Sequence, residues 1–127
     1  GRFSTRSVHR LSETILERYF REESPGAYRI LEELRQSIEF RRVNVLERSA
    51  MRAYRDMDLI LCRNLLIYFD EASRRKAVDA LYEALRPGGV LVLGASESVG
   101  LSASLFEIER AQGAPIYRKP QRDRGQR

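Results

Sequence analysis

The sequence predicts an α/β fold: a parallel core with an antiparallel hairpin at its edge, preceded by a small accessory piece. Three observations lead there. Leu59-Ile60-Leu61-Cys62 and Val90-Leu91-Val92-Leu93 are continuous apolar runs without polar alternation, the pattern of strands buried on both faces of a parallel sheet. The segment between them has helical periodicity, so the three make a βαβ unit, expected to be right-handed. Phe106–Arg110 and Ile116–Lys119, joined across Gln112-Gly113, have the pattern of an antiparallel hairpin.

The remaining elements follow in order. Ser12 can cap a short helix, with Glu13 in its first turn favoured by the helix dipole, and Ile15, Leu16, Tyr19 and Phe20 make its apolar stripe. Glu22–Gly26, containing Ser24-Pro25-Gly26, is a turn signal. Tyr28–Leu34 is ambiguous, since Glu32-Glu33-Leu34 favours helix. Ile38–Val45 alternates in part and reads as a strand, and Arg48–Arg55 as loop. Asp70 is a good N-cap for the crossover helix, whose face is Ala77, Val78, Leu81, Tyr82, Ala84 and Leu85. Arg86 suits its C-terminal end, and Pro87-Gly88-Gly89 stops it.

At 127 residues the chain is one modest domain, small for a complete α/β enzyme. No apolar run approaches the ~20 residues that span a bilayer, and no signal-peptide pattern is present, so membrane insertion is not expected. The single cysteine excludes an internal disulfide and suits a reducing cytoplasm. The net charge of +5 raises the question of nucleic acid. Three arginines fall within 122–127, however, in a basic tail (120–127) expected to be disordered. Elsewhere Arg alternates with Glu, as in Glu17-Arg18 and Arg21-Glu22-Glu23, and no aromatic lies in a basic stripe to stack bases. Nucleic acid is therefore not an expected partner. A positive surface equally steers an acidic one.

Met57–Asp70 is the most informative stretch. Its apolar strand ends abruptly in Arg63-Asn64, at the carboxyl end of a parallel strand, where open α/β sheets bind ligands. Arg63 reads as a site residue, the alternative being a salt bridge at the sheet edge. Tyr68 reads as facing the site or as packing under the following helix. Asn44 suits a strand-end turn. Glu97, in Ser96-Glu97-Ser98, suits the site or loop hydrogen bonding. Cys62 reads as an inert small hydrophobe. His9 has no partner cluster, so no metal site is expected.

Cys62-Arg63-Asn64-Leu65-Leu66-Ile67-Tyr68-Phe69-Asp70 resembles the signature of the CheR-type chemotaxis receptor methyltransferases. Phe40-Arg41-Arg42-Val43-Asn44-Val45 is similar to that family's Phe-x-x-x-Asn-Leu segment. Leu85-Arg86-Pro87-Gly88-Gly89 running into Gly94-Ala95-Ser96-Glu97-Ser98 is similar to its Gly-His-Ser-Glu region, with Ala95 in the histidine's place. Ile116-Tyr117-Arg118 fits its last strand. The resemblance, over nearly all of residues 1–119, implies the C-terminal half of a Rossmann-like methyltransferase domain (38–119). Before it comes an accessory receptor-contacting β-subdomain (1–37), extended over 28–34. The family's Gly-rich turn and acidic strand end have no counterpart, so an incomplete catalytic domain is expected.

The activity implied is methyl transfer from S-adenosylmethionine to glutamates of methyl-accepting chemoreceptors or related signalling proteins, in the cytoplasm, with S-adenosylhomocysteine as product. A non-catalytic docking or regulatory remnant is the alternative. The resemblance implies cofactor contacts from Asn44, Val45, Arg63 and Asn64 and places Tyr68 near the transferred methyl as the catalytic residue. The short turn at Glu22–Gly26 lacks the Gly-rich insertion of members that grip a receptor tail peptide, so such tethering is not expected.

Overall fold

The computed structural model describes residues 1–121, so most of the 120–127 tail lies outside the described residues. The chain divides into two compact units, 1–42 and 43 onward.

In the first unit, β1 (Arg2–Ser4), β2 (Phe20–Ser24) and β3 (Ala27–Ile30) form an antiparallel sheet in the order β1-β3-β2. Helix α1 (Thr5–Val8) follows β1, and α2 (Glu13–Tyr19) precedes β2. Ser12 caps α2 as expected, its hydroxyl accepting from the Ile15 N–H at 3.3 Å. Phe20 leaves the predicted helical stripe to open β2, where it meets Phe3 edge-on with ring centres 5.6 Å apart. The turn narrows to Pro25-Gly26. Gly26 adopts φ 77°, which a two-residue connection needs, and its N–H donates to the Glu22 carboxylate at 3.0 Å. The ambiguous 28–34 segment splits: β3 ends at Ile30, and Glu32–Gln36 forms helix α3. There Arg35 and Gln36 donate to Glu32, and those bonds, Arg35's first, hold the Glu32 carboxyl down at about 2.

The strand expected over 38–45 is not formed. Residues 38–44 are irregular, and Phe40 is 88% exposed. Alternation supplies side chains for a sheet face, but a strand also needs a neighbouring ladder, and none among the described residues pairs with this one.

The second unit holds a four-stranded sheet in the order β4-β5-β7-β6, from β4 (Met57–Cys62), β5 (Leu85–Leu93), β6 (Glu107–Ala111) and β7 (Ala114–Arg118). Helix α4 (Arg48–Met51) interrupts the expected loop. The predicted parallel pair is present, with Ile60 opposite Leu91 and Cys62 opposite Leu93, and so is the hairpin, with Ile108 opposite Tyr117. The expectation that β4 is buried on both faces is corrected. Ile60 and Cys62 face the core, whereas Leu59 and Leu61 are 55% and 67% exposed. β4 is an edge strand among the described residues, with a single covered face.

Helix α5 (Glu71–Ala84) connects β4 to β5. Asp70 caps it as expected, accepting from Ser73 N–H at 2.8 Å, and Ala77, Val78, Leu81 and Ala84 are its buried stripe. It ends before the expected Arg86, because β5 already begins at Leu85. Gly89 allows the close approach there, since a Cβ would lie 2.7 Å from the Met57 carbonyl oxygen. The core gathers this stripe with Cys62, Leu66, Leu85, Leu91, Val99, Phe106 and Tyr117. Phe106 stands edge-on between Tyr82 (5.2 Å) and Tyr117 (5.8 Å).

Lys119 finishes the helix. Its ammonium donates to the Tyr82 and Leu85 carbonyls at 2.8 and 2.7 Å and lies 4.5 Å from the Tyr82 ring centre, a cation favourably placed at a helix C-terminus. Lys119→Met keeps the alkyl stem and removes these bonds. Urea denaturation should show a loss of roughly 1–3 kcal/mol, and an unchanged midpoint would show that the ammonium contributes nothing.

Candidate functional site

The expected site lies where β4 ends. Beyond Cys62 the chain passes through Arg63 and Asn64 into a 3-10 turn over Leu66–Tyr68 and then the Asp70 cap. Beyond Leu93, at the matching end of β5, Gly94 leads through Ala95 and Ser96 to Glu97.

One side chain joins the two ends. The Glu97 carboxylate accepts from the N–H groups of Leu65 and Leu66 on Oε1, both at 2.9 Å, and of Asn64 (2.9 Å) and Gly94 (3.1 Å) on Oε2. Partial burial pushes its pKa up, but the N–H donors of Asn64, Leu65, Gly94 and Leu66 together outweigh that and hold it below the usual glutamate value. Of the two sequence options for Glu97, loop hydrogen bonding is therefore the one observed. Gly94 makes room for it, since a Cβ there would sit 2.6 Å from Oε2. Asn64 meanwhile adopts φ 55°, the left-handed region that asparagine enters more readily than most residues.

Arg63 is exposed and forms no ion pair among the described residues, so the edge salt bridge considered for it is not observed. Tyr68 is 76% exposed, which excludes core packing; Leu66 is the buried anchor of that turn. Arg63, Asn64 and Tyr68 thus share one segment and present exposed side chains. Asn44 and Val45 lie apart in sequence. Asn44 Oδ1 accepts from the Leu46 N–H at 3.1 Å, the turn geometry its residue type favours. Val45 packs partly against the core and lines a groove of about 440 Å³ with Met51, Arg52, Lys76 and Glu83. Among the described residues no cluster of His, Cys, Asp or Glu could hold a metal, and no helix is long and apolar enough to cross a membrane.

A family model described as the CheR methyltransferase, SAM binding domain, matches residues 1–114. The chain belongs to this family. It is 45% identical over 120 residues to Chemotaxis protein methyltransferase 2 of Vibrio cholerae, covering 94% of this chain and 42% of that protein. It is 34% identical over 119 residues to Chemotaxis protein methyltransferase 1 of Pseudomonas aeruginosa, covering 93% and 43%. With the Listeria monocytogenes chemotaxis protein methyltransferase it shares 38% over 99 residues, covering 78% and 36%. The chain therefore spans less than half the length of these relatives. The CheR family domain binds S-adenosylmethionine, which makes that compound the cofactor. An exposed, unpaired guanidinium beside an asparagine at the carboxyl end of a parallel strand fits such a polar, carboxylate-bearing group.

Sequence patterns offered loop hydrogen bonding for Glu97 without showing which groups it would meet. Three of its four partners lie 31–33 residues away, and the local signal was an acidic residue close behind a strand end. A group whose pKa is lowered by folding stabilises at pH above its unfolded value, and that stability is lost as pH falls through the folded one. Glu97→Gln should therefore destabilise strongly at about pH 7 and much less at about pH 3, as parallel urea titrations would show. An equal loss at both pH values would count against an ionised Glu97.

Proposed function

We propose that this chain forms one wall of the cofactor site in an enzyme that methylates glutamate side chains of chemoreceptors or related signalling proteins in the cytoplasm. The supporting observation is the segment after β4, with Arg63, Asn64 and Tyr68 exposed together on a backbone fixed by Glu97. When bound, S-adenosylmethionine supplies a methyl group on a sulfonium, and S-adenosylhomocysteine is the product.

Arg63 and Asn64 hold the cofactor, joined by Asn44 and Val45. An Arg is charged at any physiological pH and suits a carboxylate. The acceptor needs no general base, because a glutamate with pKa near ~4.3 is ionised at neutral pH. The enzyme's work is then alignment, and keeping the acceptor charged while water is excluded. The Tyr68 hydroxyl can donate to the acceptor carboxylate or orient it; its exposure leaves it free to do so. The three-stranded unit, 1–42, is the receptor-contacting part. Its two-residue Pro25-Gly26 turn leaves little loop for gripping a peptide, so contact is through its surface.

Two substitutions in the full-length gene product test this. Arg63→Ala should weaken S-adenosylhomocysteine binding by the value of a charge-assisted contact, roughly 1.5–3 kcal/mol by calorimetry; unchanged affinity would remove Arg63 from the site. Tyr68→Phe should lower turnover about tenfold, equivalent to ~1.4 kcal/mol of transition-state stabilisation, with cofactor affinity and melting temperature nearly unmoved. Parental turnover on a receptor substrate would show that the hydroxyl plays no part.

A further inference from the structure

We propose that Glu97 is the positioning residue of the cofactor site: by gathering the N–H groups of Asn64, Leu65 and Leu66, it fixes where Arg63 and Asn64 stand. This deepens the proposed function and rests on its assignment of those two side chains to the cofactor.

The geometry favours action through the loop over direct contact. An ionised carboxylate has about four lone-pair sites, and Glu97 receives four N–H donors, two on each oxygen. Nothing is left over for a ligand donor. Three of the four come from consecutive residues, which can converge on one carboxylate only when the backbone curls tightly. Asn64 at φ 55° provides that curl. Such a conformation is costly for a residue with a side chain, and charge-assisted bonds to the adjoining amides offset the cost.

The fourth bond, from Gly94, fixes the carboxylate to the end of β5, next to β4 in the sheet. Both ends of the brace are anchored in the core. Leu66 is buried just past the loop and Val99 two residues past Glu97. A Cβ at residue 94 would lie 2.6 Å from Oε2, so any side chain there shifts the carboxylate from this position. A site held to within a fraction of an ångström needs support of this kind behind the residues that touch the ligand.

The test is a mutant cycle in the full-length gene product, read as the Kd for S-adenosylhomocysteine by calorimetry well below each variant's melting temperature. Glu97→Gln replaces one acceptor oxygen by an NH₂ that faces N–H donors, and should weaken binding about tenfold or more, the scale of one charge-assisted contact. In an Arg63→Ala/Asn64→Ala background the same change should cost nothing further, since Glu97 then has no cofactor contact to position. Should Glu97→Gln fail to fold, Gly94→Ala keeps the charge while displacing the carboxylate, and should reproduce the loss of affinity.

Parental affinity in a folded Glu97→Gln or Gly94→Ala protein would overturn the inference. So would a full additional loss in the Arg63→Ala/Asn64→Ala background, which would mean Glu97 meets the cofactor itself. If Arg63→Ala/Asn64→Ala alone binds like the parent, it is the cofactor assignment of those side chains that fails.

Discussion

The carboxylate of Glu97 is the constraint on which the loops beyond β4 and β5 depend. Beyond a parallel pair such as β4 and β5 the ladder runs out: Gly94 still donates to the Cys62 carbonyl at 3.2 Å, but the N–H groups that follow Cys62 need other partners. Water can satisfy them, but then the loop is free to wander. Here a single anion takes up three of them and shares the Gly94 N–H with the Cys62 carbonyl, so the loop is satisfied and located at once. The left-handed Asn64, the glycine at 94 and the buried Leu66 are each conditions for that arrangement.

Much of the fold was legible because its signals are local. Ser12 and Asp70 cap their helices through bonds to residues three positions on, and the Gln112-Gly113 turn joins strands whose pairing it dictates. Apolar spacing alone placed the buried face of α5. Failures came where the outcome depends on distant chain. Ile38–Val45 has a strand's alternation, yet it forms none without a neighbour to complete its ladder. The Leu59 and Leu61 side chains have the composition of a two-sided strand, but among the described residues β4 lies at the sheet edge and leaves them exposed. The two errors share a physical cause, since alternation and apolarity describe what a side chain prefers and not what stands opposite it.

The candidate site was legible to the same extent. The abrupt Arg63-Asn64 after an apolar run marked its place, because two polar residues there have no packing reason. The exposure of Tyr68 and the absence of an ion pair at Arg63 among the described residues then disfavour the purely structural alternatives. Asn44 differs, since its side chain already closes a local turn onto Leu46, which its residue type alone suggested. For Glu97 the sequence offered loop hydrogen bonding as one of two options, but not its partners, since nothing local tells a carboxylate which distant amides it will meet.

Cys62 shows a consequence of lying buried beside that carboxylate. It sits one residue before Arg63, in a family whose chemistry handles an activated methyl group, and a thiolate there would itself be a strong nucleophile. Burial, helped by the negative charge of Glu97, pushes its pKa up to about 11. At neutral pH that leaves roughly one thiol in ten thousand ionised. Burial in the core, with the Glu97 carboxylate adding to it, therefore keeps the sulfur beside the loop in its inert thiol form.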